Sequence, residues 1–539
     1  MAQYYFRNTG SVAYNLTSNW SLTDGGGATG AVPTTADDAF FSNNSGNCTI
    51  NTGSLVCKSL DFTKGTGYTG TFTINNNFAV YGNITFNASM TIAGTLNLAV
   101  AAACIYTSNG KALLSNQFVI QSPCPSITYA DACTFMTIIM NSICTATITS
   151  TVNTISYSQN GSTVVYNGGT LNISGSLTMP SVSLSGTTNI FLTGTGTWSA
   201  ISSAGVINNN LTINTSGIIT LGTIVSYGTG TLTYTAGTIV NTSSTLYGYG
   251  NSTINSSGMT WNIVQLIATN TITLTSDLNT VTLSVPISAG ATTTVNGNNI
   301  NVSGAVSCSG AGSMAGTSVI KFAGTTTFTP ASVTFQSPIT FQSGTCTISG
   351  SVLNYNTGTI TYVAGTVNTG TAVLTINVSG ATLNTAGITW FKLSFTGGTS
   401  TTITLNSLLT ATSFDISLSG SPTTLVFAGT SGFTVGTILF SAVSRILSLK
   451  SGLTYTVTTA LTSTTSTAAG HNSIICTTVG GTKAIFTLQQ GATQDLSFVD
   501  GTDIDSSLGK TIWSYKGTLT RTTNWQLLPT QPKNISSVF

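Results

Sequence analysis

Apolar and polar residues alternate along most of this chain in short runs, each of which ends at Gly, Asn or Ser. The segments TGTFTINNN, GNITFN, GTLNLAV and GGTLNISGSLTM are typical. A period of two with frequent turn residues predicts half-buried β-strands of about 4 to 6 residues. No segment shows a sustained 3.6-residue period, so the pattern predicts an all-β protein without long helices.

A long internal repeat organises the middle of the chain. Residues 230–278 contain GTLTYTAGTIV, SSGMTWNIVQL and TITLTSDL, and residues 358–409 contain GTITYVAGTVN, TAGITWFKLSF and TITLNSLL. The matched pieces are offset by 128, 129 and 131 residues. Thr-aromatic pairs such as Thr260-Trp261 and Thr389-Trp390 recur within it at a shorter spacing. We therefore interpret the repeat as about four shorter units in register, with Trp261 and Trp390 packing at corners rather than binding a ligand.

A strand set that recurs with no helix between its members predicts a parallel β-helix, or β-solenoid. Coils of roughly 20–30 residues, stacked at about 4.8 Å, would form a rod. Inward Val, Ile and Leu would then stack in columns, and outward Thr and Asn would form ladders of like residues. Because the composition changes at both ends, we predict three modules: an N-terminal cap or attachment module (1–64), a repetitive body (65–440) and a C-terminal β module (441–539).

Charge is unusually scarce. Only 4 % of the 539 residues are charged, against about 25 % in a typical globular protein. The net charge is +2 and no basic patch is visible, so we do not expect nucleic acid as a partner. No apolar run approaches the roughly 18 residues of a membrane span. The start, MAQYYFRNTGS, lacks the pattern of a secretory signal, so we expect synthesis in the cytoplasm of a host cell.

The nine cysteines do not suggest a disulfide framework, because their number is odd and the chain is long. We interpret them as small apolar residues buried in strands. A pairing of Cys48 with Cys57 across a hairpin is the alternative. Neither cofactor nor metal is required by any motif.

The best candidate site is DGTDID, which contains Asp500, Asp503 and Asp505. Nearby carboxylates could hold calcium or serve glycoside hydrolysis. The segment lacks the D-x-D-x-D-G spacing of a calcium loop, and Lys510 and Lys516 offer ordinary surface pairing. Calcium is therefore the weaker interpretation and an ordinary charged surface the stronger one.

Two other candidates are weaker still. Asp37 and Asp38 are adjacent, and neighbouring strand residues point to opposite faces, so they could not easily share one ion. His471 has no identifiable Ser or Cys with a supporting acid around it, which argues against a catalytic triad. We therefore predict that the protein is not an enzyme.

The chain resembles a group of repetitive β-rich proteins common in bacteriophage and environmental viral sequences. The resemblance rests on SNWSLTDGGG and VPTTADDAFF (18–41), CKSLDFT (57–63), the internal GTLTYTAGT and SGMTW units, LKSGLTYTVTTALT (449–462), and ATQDLSFVDGTDIDSS with WSYKGTLTRTTNW (492–525). It covers both ends and part of the body. Such proteins are taken as virion fibres, appendages or decorations, and the resemblance implies that role without supplying a catalytic residue.

Three functions follow from these observations. The first is a structural virion component, a fibre, spike or surface appendage on the virion surface. It would be homotrimeric, would contact other virion proteins, and could contact a glycan or protein of the host surface. The second is a bacterial extracellular adhesin or filament subunit at the cell surface. The third is a tailspike-like polysaccharide depolymerase, which would need clustered carboxylates on one face of the body.

Overall fold

The computed structural model describes residues 2–7, 10, 12–53, 55–160, 163–179, 183–200, 205–256, 258–267, 269–398, 400–419, 423–463 and 472–529. Apart from one 3₁₀ turn at Thr17–Asn19, the regular structure of these residues is β-strand. Nearly all strand pairs are parallel, and the chain forms stacked coils, which confirms the predicted β-solenoid. Contacts divide it into two compact units, Met1–Ile263 and Val264–Phe539. The three modules predicted from composition remain predictions.

Three rows of parallel strands run through the first unit. The first row contains Gln3–Phe6, Asp38–Ser42, Ser59–Lys64, Ile84–Thr85, Cys104–Thr107, Ser126–Tyr129, Cys144–Ile148, Val164–Asn167, Leu184–Gly186, Val206–Ile207, Ile224–Tyr227 and Thr245–Gly248. The second row contains Leu55–Cys57, Phe78–Val80, Leu98–Val100, Ala112–Ile120, Cys133–Met140, Thr151–Gln159, Leu177–Met179, Gly196–Ala200, Leu211–Leu221 and Gly230–Val240. The third row contains Cys48–Ile50, Thr71–Ile74, Thr91–Gly94, Thr170–Ile173, Asn189–Leu192, Ser252–Asn255 and the first halves of the long strands. Trp20–Ser21 pairs antiparallel with the first strand.

The second unit is built in the same way, and Thr260–Leu266 contains the division between the units. Its fourth row contains Thr271–Leu274, Thr292–Gly297, Ser313–Ala315, Thr334–Phe335, Val352–Tyr355, Val373–Ile376 and Thr493–Asp495. The fifth contains Ile320–Ala323, Ile339–Ser343, Gly358–Tyr362, Ala381–Asn384, Ser400–Leu405, Thr423–Gly429, Arg445–Leu449, Ser473–Thr477, Val499–Thr502 and Leu519–Thr520. The sixth contains Thr326–Thr329, Thr345–Ile348, Thr366–Asn368, Ala484–Leu488 and Ile504–Asp505.

Six longer strands of the second unit pass a corner and serve two rows each. They are Leu278–Pro286, Ile300–Ser309, Thr389–Phe395, Leu409–Ile416, Phe433–Phe440 and Thr454–Ser463. Strand lengths therefore run from 2 to 11 residues, a wider range than the predicted 4 to 6. A separate two-stranded sheet pairs Ile512–Tyr515 with Trp525–Leu528.

The predicted relation between the long repeat and the coils is wrong. In the fifth row Ile300, Ile320, Ile339 and Ile360 are successive partners, so a coil there takes 19 to 21 residues. Pairing leads from Thr271–Leu274 through five strands to Thr389–Phe395, a span of six coils. The matching copy, Ser400–Leu405, lies in the fifth row instead. The repeat equals six coils plus one strand, not four units in register.

Local alternation explains why each strand turns one side inward. In Thr271–Leu274, Ile272 and Leu274 are buried while Thr271 and Thr273 are exposed. Aromatic rings stack in the same way from coil to coil: Phe41 lies 4.6 Å from Phe62 by ring centroid. Such columns bury apolar surface along the stack and stabilise it.

The outer faces carry the predicted ladders of like residues. The Asn172 amide donates to the Asn153 side-chain oxygen at 2.8 Å, and Asn301 donates to Asn279 at the same distance. Each pair is in register between adjacent coils. Amide ladders of this kind satisfy surface polar groups without charge, which explains how the fold tolerates so few charged residues.

Candidate functional site

The three candidate aspartates lie on one coil near the end of the second unit. Asp500 belongs to strand Val499–Thr502 and Asp505 to strand Ile504–Asp505. Asp503 lies between the two strands with a φ of +56°, a left-handed conformation in which Asp is several-fold enriched over most residues. The three carboxylates are therefore close in sequence but are presented by different local backbones.

Asp503 is held by Arg521. The Arg521 Nε donates to Asp503 Oδ1 at 2.5 Å, and Nη2 donates to Oδ2 at 2.6 Å. The backbone N–H of Gly481 also donates to Oδ2, at 3.0 Å. The Asp503 side chain is only 1 % exposed, whereas that of Arg521 is 57 % exposed. Hydrogen bonds from the guanidinium, followed by the one from Gly481, lower the pKa of Asp503 to about 2.

The other two aspartates have separate partners. Asp500 Oδ1 accepts from the Asn472 amide at 2.9 Å and from the Thr518 N–H at 2.5 Å. Asp505 Oδ1 accepts from the Ser507 N–H at 2.9 Å. Hydrogen bonds from Ser507 and the charge of Lys483 lower the pKa of Asp505. Each carboxylate thus fastens a turn or a neighbouring coil.

The predicted lysine partners pair elsewhere. The Lys510 ammonium donates to the Ala492 carbonyl at 3.2 Å, and that of Lys516 lies 5.4 Å from the ring centroid of Phe498. The actual partner, Arg521, follows Asp503 by one coil, because Thr502 and Thr520 are in register. The sequence signal that could have found it is the coil offset, which the longer assumed period concealed.

Metal-ligand geometry was also sought in the part of the chain that the structure describes. Within it, no three His, Cys or Asp side chains come together as metal ligands. The calcium interpretation of Asp500, Asp503 and Asp505 stays a prediction, and Arg521 and Gly481 already donate to the two oxygens of Asp503. His471 lies outside the described residues.

Asp37 and Asp38 likewise have different partners. Asp37 accepts from the Ala2 N–H at 3.1 Å and from the Thr34 hydroxyl at 2.6 Å. Asp38 accepts from the Ser59 hydroxyl at 2.6 Å, across the first row. Both carboxylates hold the first coils together.

The cysteines are free thiols, and eight of the nine are buried. Cys48 and Cys57 do not face each other across a hairpin, because Cys48 pairs with Phe72 in the third row and Cys57 with Val80 in the second. Burial raises the pKa of Cys104 to about 12, which keeps this thiol protonated. Trp261 and Trp390 are buried as well, at 1 % and 0 % exposure, in agreement with a packing role.

Sequence reasoning missed the concave surfaces. The first unit carries a groove of about 370 Å³ beside strand Phe78–Val80, with Tyr81 and Gln121 at its rim. A second groove, of about 290 Å³, lies beside Asn153 and Asn172. Both depend on which residues of neighbouring coils come into register, so no single stretch of sequence signals them.

Comparisons with protein-family models, with curated proteins and with solved structures found no match to this chain. Within the described residues, no helix has the length and apolar character needed to cross a membrane. The class that the fold itself defines is that of parallel β-solenoid proteins.

Proposed function

We propose that this chain is a structural component of a virion, a fibre, spike or surface appendage that can contact the host. The observation that carries the proposal is a parallel β-solenoid whose outer face relies on Asn, Thr and Ser rather than charge. Such a structure satisfies its polar groups through ladders between coils, and it offers few Lys and Arg sites to trypsin-like proteases. The resemblance at both ends of the chain to virion fibres and appendages supports the same role.

The proposal includes self-association as a homotrimer and contact with other virion proteins. Closed symmetric assembly is the common way in which identical chains cover exposed apolar positions. Ile105, Leu114, Met136 and Ile143 are large apolar residues of the first unit that are between 41 % and 76 % exposed. Assembly that covered these side chains would remove apolar surface from water.

The test uses particles purified from the source of the gene. Antibodies raised against the purified chain should decorate particle surfaces in electron microscopy, and the chain should appear in the particle proteome. Sedimentation equilibrium of the purified protein should give three times the chain mass of 55.1 kDa. Decoration of bacterial cells with no label on particles would favour the adhesin instead.

The prediction that the protein is not an enzyme has its own test. Purified protein should leave the viscosity of host polysaccharide unchanged. A fall in viscosity that requires the folded protein would favour the depolymerase alternative.

A further inference from the structure

The groove of the first unit arises from small residues on an outer face. Val56, Ala79, Ala99 and Val119 are successive partners in the second row, and each is the outward residue between two inward ones. The flanking Phe78, Val80, Leu98 and Val100 are fully buried in the interior. Ala99 is nevertheless only 2 % exposed, although it points outward. A methyl group on an outer face is covered in this way only where neighbouring side chains stand above it, so Ala79 and Ala99 form a floor.

The wall on one side follows the turn after these strands. The N–H groups of Tyr81, Ala101 and Gln121 donate to Cys57, Val80 and Val100 of the preceding coils at 2.8 to 2.9 Å. These three residues therefore occupy the same position in successive coils. Because Ala101 is small, the long side chains of Tyr81 and Gln121 stand apart with a gap between them.

The opposite wall is made by two carboxamides. Asn76 and Asn77 precede strand Phe78–Val80, and both line the groove. The Asn76 side-chain oxygen accepts from the Asn77 N–H at 3.0 Å, which orients its amide. Among the described residues, the side-chain amides of Asn77 and Gln121 make no hydrogen bond, so their donors and acceptors are open to a ligand.

The chemistry of these walls selects a class of ligand. The described lining residues include no charged side chain, so an anion or cation would find no counter-charge. A purely apolar ligand would leave the amides of Asn77 and Gln121 desolvated without partners. A sugar ring fits both features: its C–H face packs on an aromatic ring, and its hydroxyls both donate to and accept from carboxamides. Tyr81, 38 % exposed at the rim, provides that ring.

We propose that the groove between Tyr81, Gln121 and Asn77 binds a short uncharged oligosaccharide. The volume of about 370 Å³ is at the lower end of ligand-site volumes, which fits a few sugar units. The second groove lacks this chemistry, because its Asn172 amide is bonded to Asn153 and no exposed aromatic ring lines it. The biological meaning of the site rests on the proposed host-contacting role, but the binding itself does not.

The test is titration of the full chain with uncharged trisaccharides: maltotriose, cellotriose, mannotriose and N-acetylchitotriose. Trigalacturonate serves as the charged probe. We expect at least one uncharged probe to bind and trigalacturonate not to bind. Tyr81→Ala and Gln121→Ala should each weaken binding by about tenfold or more, whereas Tyr81→Phe should retain most of it. Gln117→Ala, which alters an exposed amide on the same strand but outside the groove, is the matched control.

Circular dichroism melting identifies any variant that fails to fold. In that case Ala99→Leu, which fills the floor and removes no polar group, supplies the second reading. The proposal is overturned if no uncharged probe binds up to about 10 mM, or if the groove variants bind as the wild type does. Host-cell binding without trisaccharide binding would refute the groove alone. Trisaccharide binding by a chain that is missing from particles would refute the virion role alone.

Discussion

Arg521 and Asp503 form a two-point ion pair that joins two consecutive coils of the second unit, with N–O distances of 2.5 and 2.6 Å. The carboxylate is covered and the guanidinium is largely in solvent. Bidentate geometry of this kind orders both partners, in contrast to most surface ion pairs. The pair therefore closes the turn at which Asp503 adopts its positive φ.

The pair makes the second unit sensitive to acid. The pKa of Asp503 is about 2 in the folded protein, below the ordinary value of 3.8. Its contribution to stability is therefore complete above pH 3.8 and is lost as the pH falls through 2. Arg521→Gln should move the acid-unfolding midpoint to higher pH, measured by tryptophan fluorescence. Lys516→Gln is the control, and equal midpoints for Arg521→Gln and wild type would contradict the assignment.

The buried indole of Trp390 should matter for folding. Trp390→Ala removes a fully buried ring, and we expect it to lower the free energy of unfolding by roughly 3–5 kcal/mol in chemical denaturation. Trp513, which is only partly buried, provides the comparison, and Trp513→Ala should cost clearly less. An unchanged midpoint for Trp390→Ala would show that its ring does not pack in the core.

Close packing between coils leaves no room for a side chain at Gly316. Its φ is +117°, and an added Cβ would lie 2.0 Å from the Val295 carbonyl oxygen. Gly316→Ala should destabilise the protein by roughly 1–3 kcal/mol, measured by thermal melting. Gly480→Ala is the matched control, since an added Cβ there meets nothing within 4 Å. Equal melting temperatures for the two variants would argue against the close contact.

The buried thiols predict slow alkylation. Burial raises the pKa of Cys57 and Cys308, among others, so little thiolate exists near pH 8. Iodoacetamide should add at most about one group to the native protein, at Cys476, and nine groups after unfolding, counted by intact mass. Cys476→Ser should abolish the native reaction. Rapid modification of several thiols in the native protein would mean that the coils open readily.

The strands and the fold class could be predicted because their signals are local. The alternation in TITL specifies which side of the strand Thr271–Leu274 faces inward, whatever follows in the chain. The spacing of coils could not be predicted in the same way. Thr-aromatic pairs such as Thr389-Trp390 belong to a repeat that does not contain a whole number of coils, so their spacing does not report the coil length.

Residue partnerships across coils were hidden for the same reason. Arg521 lies 18 residues after Asp503, and Gln121 lies 40 residues after Tyr81. Each partnership depends on how many residues the intervening corners use, and those corners vary in length. The aspartates were therefore visible as candidates, whereas the arginine that holds one of them and the groove at Tyr81 were not.

The extra strand in the long repeat has a consequence for any partner that reads the outer surface. The two TITL copies, at residues 271–274 and 402–405, lie in the fourth and fifth rows, so they look out in different directions. A ligand that bound one copy would meet the other only after moving around the stack as well as along it. Duplicating this segment would thus distribute one surface pattern helically, whereas duplicating a single coil would align its copies on one side.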